Sequence, residues 1–203
     1  KKFVAEGERQ QVHTGYKCRI RKEWFVVPAV WIPDVFYLRQ ADSAPRLIAN
    51  KTTATCTDTL HRGRVLDGVD PEVLAVAFMN SLTWAVSEVT GRSYGGGVMT
   101  YEPSEVERLP LPVIGASELD IAEIDGLVRR KKLDDVLDLV DRKILIDSLG
   151  LGRTDVIALR RIWAKLRDRR RGRKLRDKPE HPVTKAHGRR GARPLGGPST
   201  RRA

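Results

Sequence analysis

Two pairs of histidine and cysteine have the residue types of a metal site. His13 and Cys18 stand five positions apart, and so do Cys56 and His61, which gives the patterns H-x4-C and C-x4-H. On neighbouring strands, these four side chains could bind a zinc ion tetrahedrally. The spacing is not one of the strong zinc patterns, and free cysteines are commonly buried as small apolar residues. The sequence therefore favours reduced, buried thiols and surface histidines over a zinc site.

A second group of residues has the chemistry of a phosphate-binding surface. The stretch YKCRIRKEWFVVP, residues 16–28, interleaves basic and aromatic residues; its cations are Lys17, Arg19, Arg21 and Lys22. Read as a strand, it places Lys17, Arg19 and Arg21 on one face, because side chains alternate with period two. Such a row can follow phosphates, and arginine can also read guanine. The alternative is a charged strand facing solvent.

Two further segments carry candidate contacts. Asn50 and Lys51, with Thr52 and Thr53, are short polar or basic groups suited to phosphate or base contact, although a turn explains them as well. The stretch GRSYGGGVMTYEPSEVERLPLP, residues 91–112, holds three consecutive glycines, Gly95, Gly96 and Gly97. Glycine permits positive φ and close approach of the backbone. We therefore predict an ordered loop built for close approach.

Motifs of the common enzyme classes are absent from the sequence. It contains no GxSxG, no GxxxxGK[ST], no HExxH and no GxGxxG. Most acidic residues have a basic residue three or four positions away, which is typical of solvated helix faces. No catalytic group is predicted.

The elements that must position these residues are short strands followed by helices. Residues 12–66 read as strands and tight turns, among them DVFYLR, PRLIANK and TATCTDTLHRGRVL. One long helix is predicted from the cap Asp70 to a stop at Gly91. Three more follow: SELDIAEIDGLVRR, LDDVLDLVDRKILIDSLG and RTDVIALRRIWAKLRDRR, the last with Ile162 and Trp163 on its apolar side.

The positive charge is concentrated at the end of the chain. Of the formal net charge of +12, +11 lies in residues 167–203, which hold fourteen Lys and Arg against three Asp and Glu. This segment is rich in Arg, Gly and Pro and too polar to fold alone, so we predict a disordered basic tail that binds phosphates without sequence preference. The alternative is a solvated tail with no partner.

Composition limits the class of protein. Hydrophobic residues make up 40% of the chain, enough for a core, and no run is long enough to span a membrane. The N-terminal residues lack the apolar region of a signal peptide. We expect a cytoplasmic protein with no membrane partner. Because the chain does not begin with methionine, we also expect it to be a piece of a longer protein.

The order of these segments resembles a known family. YKCRIRKEWFVVP, PRLIANKTTATCTDTLHR, NSLTWAVSE and GRSYGGGVMTYEPSEVERLPLP are similar to the C-terminal part of bacterial DNA adenine-N6 methyltransferases of restriction–modification systems, the TaqI-like and related type II enzymes. The resemblance runs from about Gly15 to Leu166. It implies a target-recognition region that binds double-stranded DNA beside a catalytic methyltransferase domain. The implied contacts include Arg92, Tyr94 and the three glycines. The alternative is a tight turn inside the domain, with Arg92 in an ion pair.

This chain departs from the family pattern at the catalytic motifs. Family members bind S-adenosylmethionine and use an [ND]PP[YFW] motif to hold an adenine flipped out of the duplex. The sequence has neither that tetrapeptide nor an FxGxG-like cofactor loop. We therefore expect no cofactor in this chain, S-adenosylmethionine in the missing catalytic domain, and no methyltransferase activity from the chain alone. The other function that the sequence allows is a non-catalytic docking domain with a basic tail.

The predicted fold class is α+β, a small mixed β-sheet region with packed helices, a helical segment and a disordered basic tail. The predicted units are a β-rich target-recognition-like domain with one long helix at 1–114, a helical subdomain at 115–167 and the tail at 168–203.

Overall fold

The computed structural model of the chain describes residues 1–27, 30–66 and 68–176. Most of the predicted disordered tail, residues 177–203, lies outside the described residues. The observed class is α+β, as predicted.

The N-terminal segment is helical and lies on the surface. Helix α1 spans Lys2–Arg9, a 3-10 turn spans Val12–Thr14, and α2 spans Tyr16–Arg19; none of these residues is buried. The strand predicted over residues 16–28 was wrong. The Gly15 carbonyl accepts the backbone N–H groups of Cys18 and Arg19, each at 2.9 Å. These hydrogen bonds are made locally, and among the described residues no neighbouring strand supplies the ladder that a strand needs.

Two antiparallel sheets of three strands follow. The first contains β1 (Val35–Leu38), β3 (Leu47–Ala49) and β4 (Leu60–Gly63), in the order β3-β1-β4. The second contains β2 (Gln40–Ala41), β5 (Arg92–Ser93) and β6 (Met99–Thr100), in the order β2-β6-β5. In β1, Val35 and Tyr37 are buried while Phe36 and Leu38 are half-buried. The strand was predicted from its β-branched and aromatic residue types, and the structure adds this period-two alternation in burial.

The long helix predicted from Asp70 is two helices, α3 (Pro71–Ala77) and α4 (Ser81–Thr90), bent by 76°. Its start is as predicted, because the Asp70 carboxylate accepts the N–H of Glu72 at 2.8 Å. The break comes from Asn80, whose amide donates to the Ala77 carbonyl at 2.7 Å and accepts the Thr83 N–H at 2.9 Å. A side chain that bonds the backbone in this way ends one helix and caps the next.

Among the described residues, no single helix is long and apolar enough to cross a bilayer; only α3 and α4, taken together across their bend, reach that length and composition.

The main core lies among the later helices. Helix α5 (Pro103–Val106) and a 3-10 turn at Ala116–Glu118 lead to α6 (Ile121–Arg129) and α7 (Leu133–Val140). A π-helical segment, Asp141–Ser148, continues α7, and α8 spans Arg153–Arg176. These helices pack on α3 and α4, and the Trp84 and Trp163 ring centroids lie 4.8 Å apart. A smaller cluster around Tyr37 and Tyr101 joins the sheets to α3 and α4.

The last helix is longer than predicted. It passes the predicted tail boundary at residue 168 and reaches Arg176, where the described residues stop, so the start of the predicted disordered segment is helix. The reason is a buried partner for Arg170, the carboxylate of Glu88. Ile162 was predicted on the apolar side of α8 but is 46% exposed, whereas Val156 and Trp163, seven residues apart, are buried.

Candidate nucleic-acid interface

The basic residues predicted on a strand surround a surface groove beside α2. The groove has a volume of about 640 Å³ and is lined by Tyr16, Lys17, Ile20, Arg21, Lys22, Glu23 and Val26. Lys17 lies in α2, whereas Arg21 and Lys22 lie in the bend that follows the end of this helix at Arg19. Arg19 is exposed but does not line the groove. The structure thus brings together three of the four predicted cations, through a short helix and the bend after it instead of a strand.

These four cations have no side-chain partner in the part of the chain that the structure describes. Among the described residues, the side chains of Lys17, Arg19, Arg21 and Lys22 form no hydrogen bond or ion pair. The nearby Trp24 has a different role, because its ring packs against α1 at Gly7 and its indole N–H donates to Glu8 at 3.3 Å. Trp24 therefore holds α1 in place.

The structure does not bring the four side chains of the zinc alternative together. His13 lies beside Trp24, whereas the Cys56 thiol contacts the Leu60 carbonyl at 3.6 Å and His61 Nε2 lies 2.7 Å from the Tyr101 carbonyl oxygen. No three metal-binding side chains cluster anywhere in the described part of the chain. Cys18 and Cys56 are free and half-buried. Nor are the histidines surface residues: both are half-buried, and the ring of His61 stacks on Tyr37.

Asn50 holds a loop in place. Its amide nitrogen donates to the carbonyls of Pro33 at 2.8 Å and Ala54 at 3.0 Å, and its oxygen accepts the N–H and hydroxyl of Thr52. Lys51 pairs with Glu72 at 3.1 Å while remaining 72% exposed. Of the two predicted contacts, only Lys51 therefore has a side chain that remains accessible to an outside ligand.

The glycine loop is a tight turn against α8. Gly95–Gly97 forms a 3-10 turn with positive φ at Gly96 (78°) and Gly97 (74°). A Cβ atom at Gly97 would lie 2.9 Å from the Arg170 carbonyl oxygen, whereas at Gly95 or Gly96 it would meet nothing within 4 Å. The predicted close approach exists at Gly97, and the group approached is this chain's own helix. The free side of the turn is Gly95 and Gly96.

The two side chains next to this turn differ in their freedom. Arg92 Nε donates to Glu105 Oε1 at 2.7 Å, which is the ion pair of the alternative interpretation. This carboxylate also accepts the backbone N–H of Glu102 at 2.8 Å, and the two bonds hold the pKa of Glu105 below its usual range, the backbone bond being the larger cause. Tyr94 is 55% exposed. Within the described residues, no side-chain hydrogen bond or ion pair joins this loop to the α2 groove or to Asn50 and Lys51.

Sequence reasoning missed a third basic surface, at the edge strand β4. The guanidinium carbons of Arg62 and Arg64 each lie 5.3 Å from the ring centroid of Trp31. Arg62 also stands opposite Phe36 across the sheet. Two arginines around one indole are a cation–π arrangement. The signal for it was the sequence RGR, because residues two apart on a strand share a face.

One buried carboxylate is used for the fold. Asp141 is 1% exposed and accepts the Ser81 N–H at 2.7 Å and Arg160 Nε at 2.8 Å. Burial raises the pKa of Asp141, while the bonds from Ser81 and Arg160 act in the opposite direction. The carboxylate caps the start of α4 and ties it to α8, which accounts for all of its contacts.

Comparison with known proteins gives one match. A family model described as "Type II methyltransferase M.Eco57I, C-terminal domain" matches residues 1–145. No curated protein matches the sequence, and no solved structure does. The match covers all elements from α1 to α7, including the α2 groove and the glycine loop, and ends before α8.

Proposed function

The chain belongs to the family of the C-terminal domain of type II methyltransferase M.Eco57I, and on that premise we propose that it is the target-recognition part of a DNA adenine-N6 methyltransferase. In this proposal the catalytic domain binds S-adenosylmethionine and the flipped adenine, and the present chain holds the surrounding duplex in register.

One observation carries the proposal beyond family membership. Lys17, Arg19, Arg21 and Lys22 have no intramolecular partner among the described residues, whereas Lys51, Arg92 and Arg160 each pair with a carboxylate. Unpaired cations around a groove can bind an anion of another molecule. For a member of a DNA methyltransferase family, that anion is the phosphate backbone of the DNA. Tyr94 and the free side of the glycine turn, Gly95 and Gly96, are further proposed contacts.

Two places in the described residues were candidates for the cofactor, and neither suits it. The glycine turn offers no cradle, because the α8 backbone already lies against Gly97. A depression of about 370 Å³ near α8 is lined by several Asp and Arg side chains, and two of those aspartates pair with Arg160. The proposed role of the chain therefore ends at positioning DNA, and methyl transfer takes place on the catalytic domain.

A second candidate function is docking onto another domain. The N-terminal third exposes large apolar side chains, among them Phe3 at 83%, Tyr16 at 70% and Ile20 at 65%. Contiguous exposed apolar residues mark interaction surfaces. The two functions predict different responses to salt, because phosphate contacts weaken as salt rises and apolar contacts do not.

The test measures binding of the full chain to a fluorescent random-sequence duplex at several salt concentrations. One variant carries K17Q, R19Q, R21Q and K22Q. A matched control carries R130Q, K131Q, R142Q and R153Q, four exposed cations elsewhere in the described structure. Loss of four phosphate contacts should lower the slope of log affinity against log salt by about 3.6. Equal slopes for the two variants would reject the groove as a DNA surface.

Specificity is tested by selection from a randomised duplex pool. The target-recognition proposal expects enrichment of a motif that contains adenine. A pool that shows no enriched motif, from a chain that binds apolar partner surfaces without salt dependence, would favour the docking function instead.

A further inference from the structure

Helix α8 divides its basic residues between two roles. One set binds carboxylates or rings of the same chain: Arg160 with Asp138 and Asp141, Arg167 with Asp168 and the Trp163 ring, Arg170 with Glu88, and Arg171 with Asp42. The other set, Arg161, Lys165 and Arg169, is exposed and has no hydrogen bond or ion pair among the described residues.

The unpaired set forms a straight stripe. Arg161, Lys165 and Arg169 are four residues apart, so they lie on one face at intervals of about 6 Å along the helix. That face is opposite the side through which Val156, Trp163 and Arg170 are buried. The stripe is therefore the most outward-facing line of α8.

The helix that carries the stripe is held firmly. The Arg170 guanidinium donates to both carboxylate oxygens of Glu88, at 2.7 and 3.0 Å, and to the Gly97 carbonyl. Trp163 packs on Trp84. Because like charges at a spacing of four residues repel, a fixed helix with three such cations that form no ion pair among the described residues is arranged for an anion from outside.

We propose that the stripe Arg161–Lys165–Arg169 is a second surface for the phosphate backbone of duplex DNA, separate from the α2 groove. It goes beyond target recognition because regularly spaced cations follow phosphates without reading sequence. It lies after residue 145, outside the part of the chain that the family model matches.

The structure favours DNA over a lipid surface. A helix that lies on a membrane inserts its apolar face into the bilayer. The apolar face of α8 is instead buried against α4 through Trp163 and Trp84. The stripe could attract a bilayer only through its charge, with no apolar residues to insert. A DNA duplex has a high density of negative charge, which closely spaced cations match.

The experiment compares variants of the full chain. The stripe variant is R161Q/K165Q/R169Q, and the matched control R130Q/K131Q/R142Q removes three exposed charges elsewhere. With a fluorescent random-sequence duplex, the stripe variant should lower the salt slope by about 2.7. Between 50 and 200 mM salt, wild type should then lose about 40-fold more affinity than this variant. Equal slopes for stripe and control variants overturn the proposal.

A charge-conserving variant and two further ligands distinguish a DNA contact from a structural effect and from binding of RNA or lipid. R161K/R169K keeps all three charges and should bind as wild type; if it behaves as the glutamine variant does, the effect is structural and the proposal fails. The proposal also fails if the stripe variant loses binding to an RNA duplex or to anionic vesicles while its DNA binding is unchanged. The α2 groove variant should show its own slope change, so either surface can be rejected while the other stands.

Discussion

Arg170 and Glu88, 82 residues apart in sequence, form a two-point ion pair in which the side chains are only 4% and 2% exposed. The same guanidinium holds the carbonyl of Gly97. One arginine of the basic C-terminal region therefore joins three parts of the fold: α8, α4 and the glycine turn.

Removal of one partner of this pair should be strongly destabilising. Glu88→Gln leaves the Arg170 charge buried and unpaired, and we expect the free energy of unfolding in urea to fall by about 3 to 5 kcal/mol. The double variant Glu88→Leu/Arg170→Met should recover most of that loss. As a control, Arg171→Ala removes a half-exposed ion pair with Asp42. It should change the free energy of unfolding by less than about 1 kcal/mol. An equal loss in Glu88→Gln and Arg171→Ala would contradict the buried pair.

The three glycines should respond differently to alanine. Gly95 has neither positive φ nor a neighbour near its Cβ position, so Gly95→Ala should be neutral or slightly stabilising. Gly96→Ala should lower the free energy of unfolding by about 1 to 2 kcal/mol because its φ is positive. Gly97→Ala has the same strain and also a clash with the α8 backbone. It should therefore lower the free energy of unfolding the most of the three. Thermal melts of the three variants check this order.

Asp141 should matter far more than its neighbour Asp138. Asp141→Asn places an amide donor against Ser81 and leaves Arg160 without its inner carboxylate, which should lower the free energy of unfolding by about 3 kcal/mol. Asp138 contacts the same arginine but is 68% exposed, and Asp138→Asn should cost less than about 1 kcal/mol. Urea unfolding of the pair measures the difference; similar values for the two would show that Asp141 is not the anchor of α4.

Asn50 should affect stability and leave DNA binding unchanged. Asn50→Ala removes four hydrogen bonds from the loop that joins Pro33, Thr52 and Ala54, and we expect a loss of about 2 kcal/mol in the free energy of unfolding. Thr53→Ala, next in the exposed loop, serves as the control. A fall in duplex affinity of folded Asn50→Ala at fixed salt would restore Asn50 as a DNA contact.

The buried tyrosines predict a loss of stability in alkali. Burial raises the pKa of Tyr101 to about 12 and raises that of Tyr37 as well, against about 10 for an unfolded phenol. Because the folded pKa values are the higher ones, the stabilising contribution is complete below pH 10 and falls as the pH rises from 10 through 12. Over this range the free energy of unfolding should fall by about 1.4 kcal/mol per pH unit for each tyrosine.

The measurement uses the variant Tyr16→Phe/Tyr94→Phe, which leaves only the two buried phenols. Absorbance at 295 nm and circular dichroism are followed together from pH 8 to 13. Phenolate absorbance should appear only as the helical signal is lost or as the pH approaches 12. Full ionisation near pH 10 in a protein that keeps its native spectrum would show that the two rings are accessible to water.

Local chemistry predicted part of the fold. The start of α3 was evident because Asp70 and Pro71 act on adjacent residues, and β1 was evident because Val35, Phe36 and Tyr37 are residue types that favour strands. The strand at residues 16–28 was wrong because a strand exists only when another strand pairs with it. The break at Asn80 was missed because a single asparagine inside an apolar run is a weak signal until its bonds to Ala77 and Thr83 are seen.

The candidate interface was predicted in composition and not in geometry. Lys17, Arg21 and Lys22 do share a groove, since residues close in sequence stay close in any local structure. The separation of α8 into paired and unpaired cations depends on Glu88, Asp42 and Asp141, which are distant in sequence. No spacing rule within the basic region could have shown which arginines are paired with carboxylates of the same chain.

The late position of α8 also has a consequence for synthesis on the ribosome. Glu88 and Trp84 emerge long before the helix that covers them, and Arg170 follows Glu88 by 82 residues. At about 5 to 20 residues per second, the nascent chain carries an uncovered tryptophan and an unpaired carboxylate for roughly 4 to 16 s. During that interval the β-rich part can form its sheets, but the helical core stays open. Formation of α8 therefore closes the helical core late in synthesis, and the interval before it is when a chaperone would be most needed.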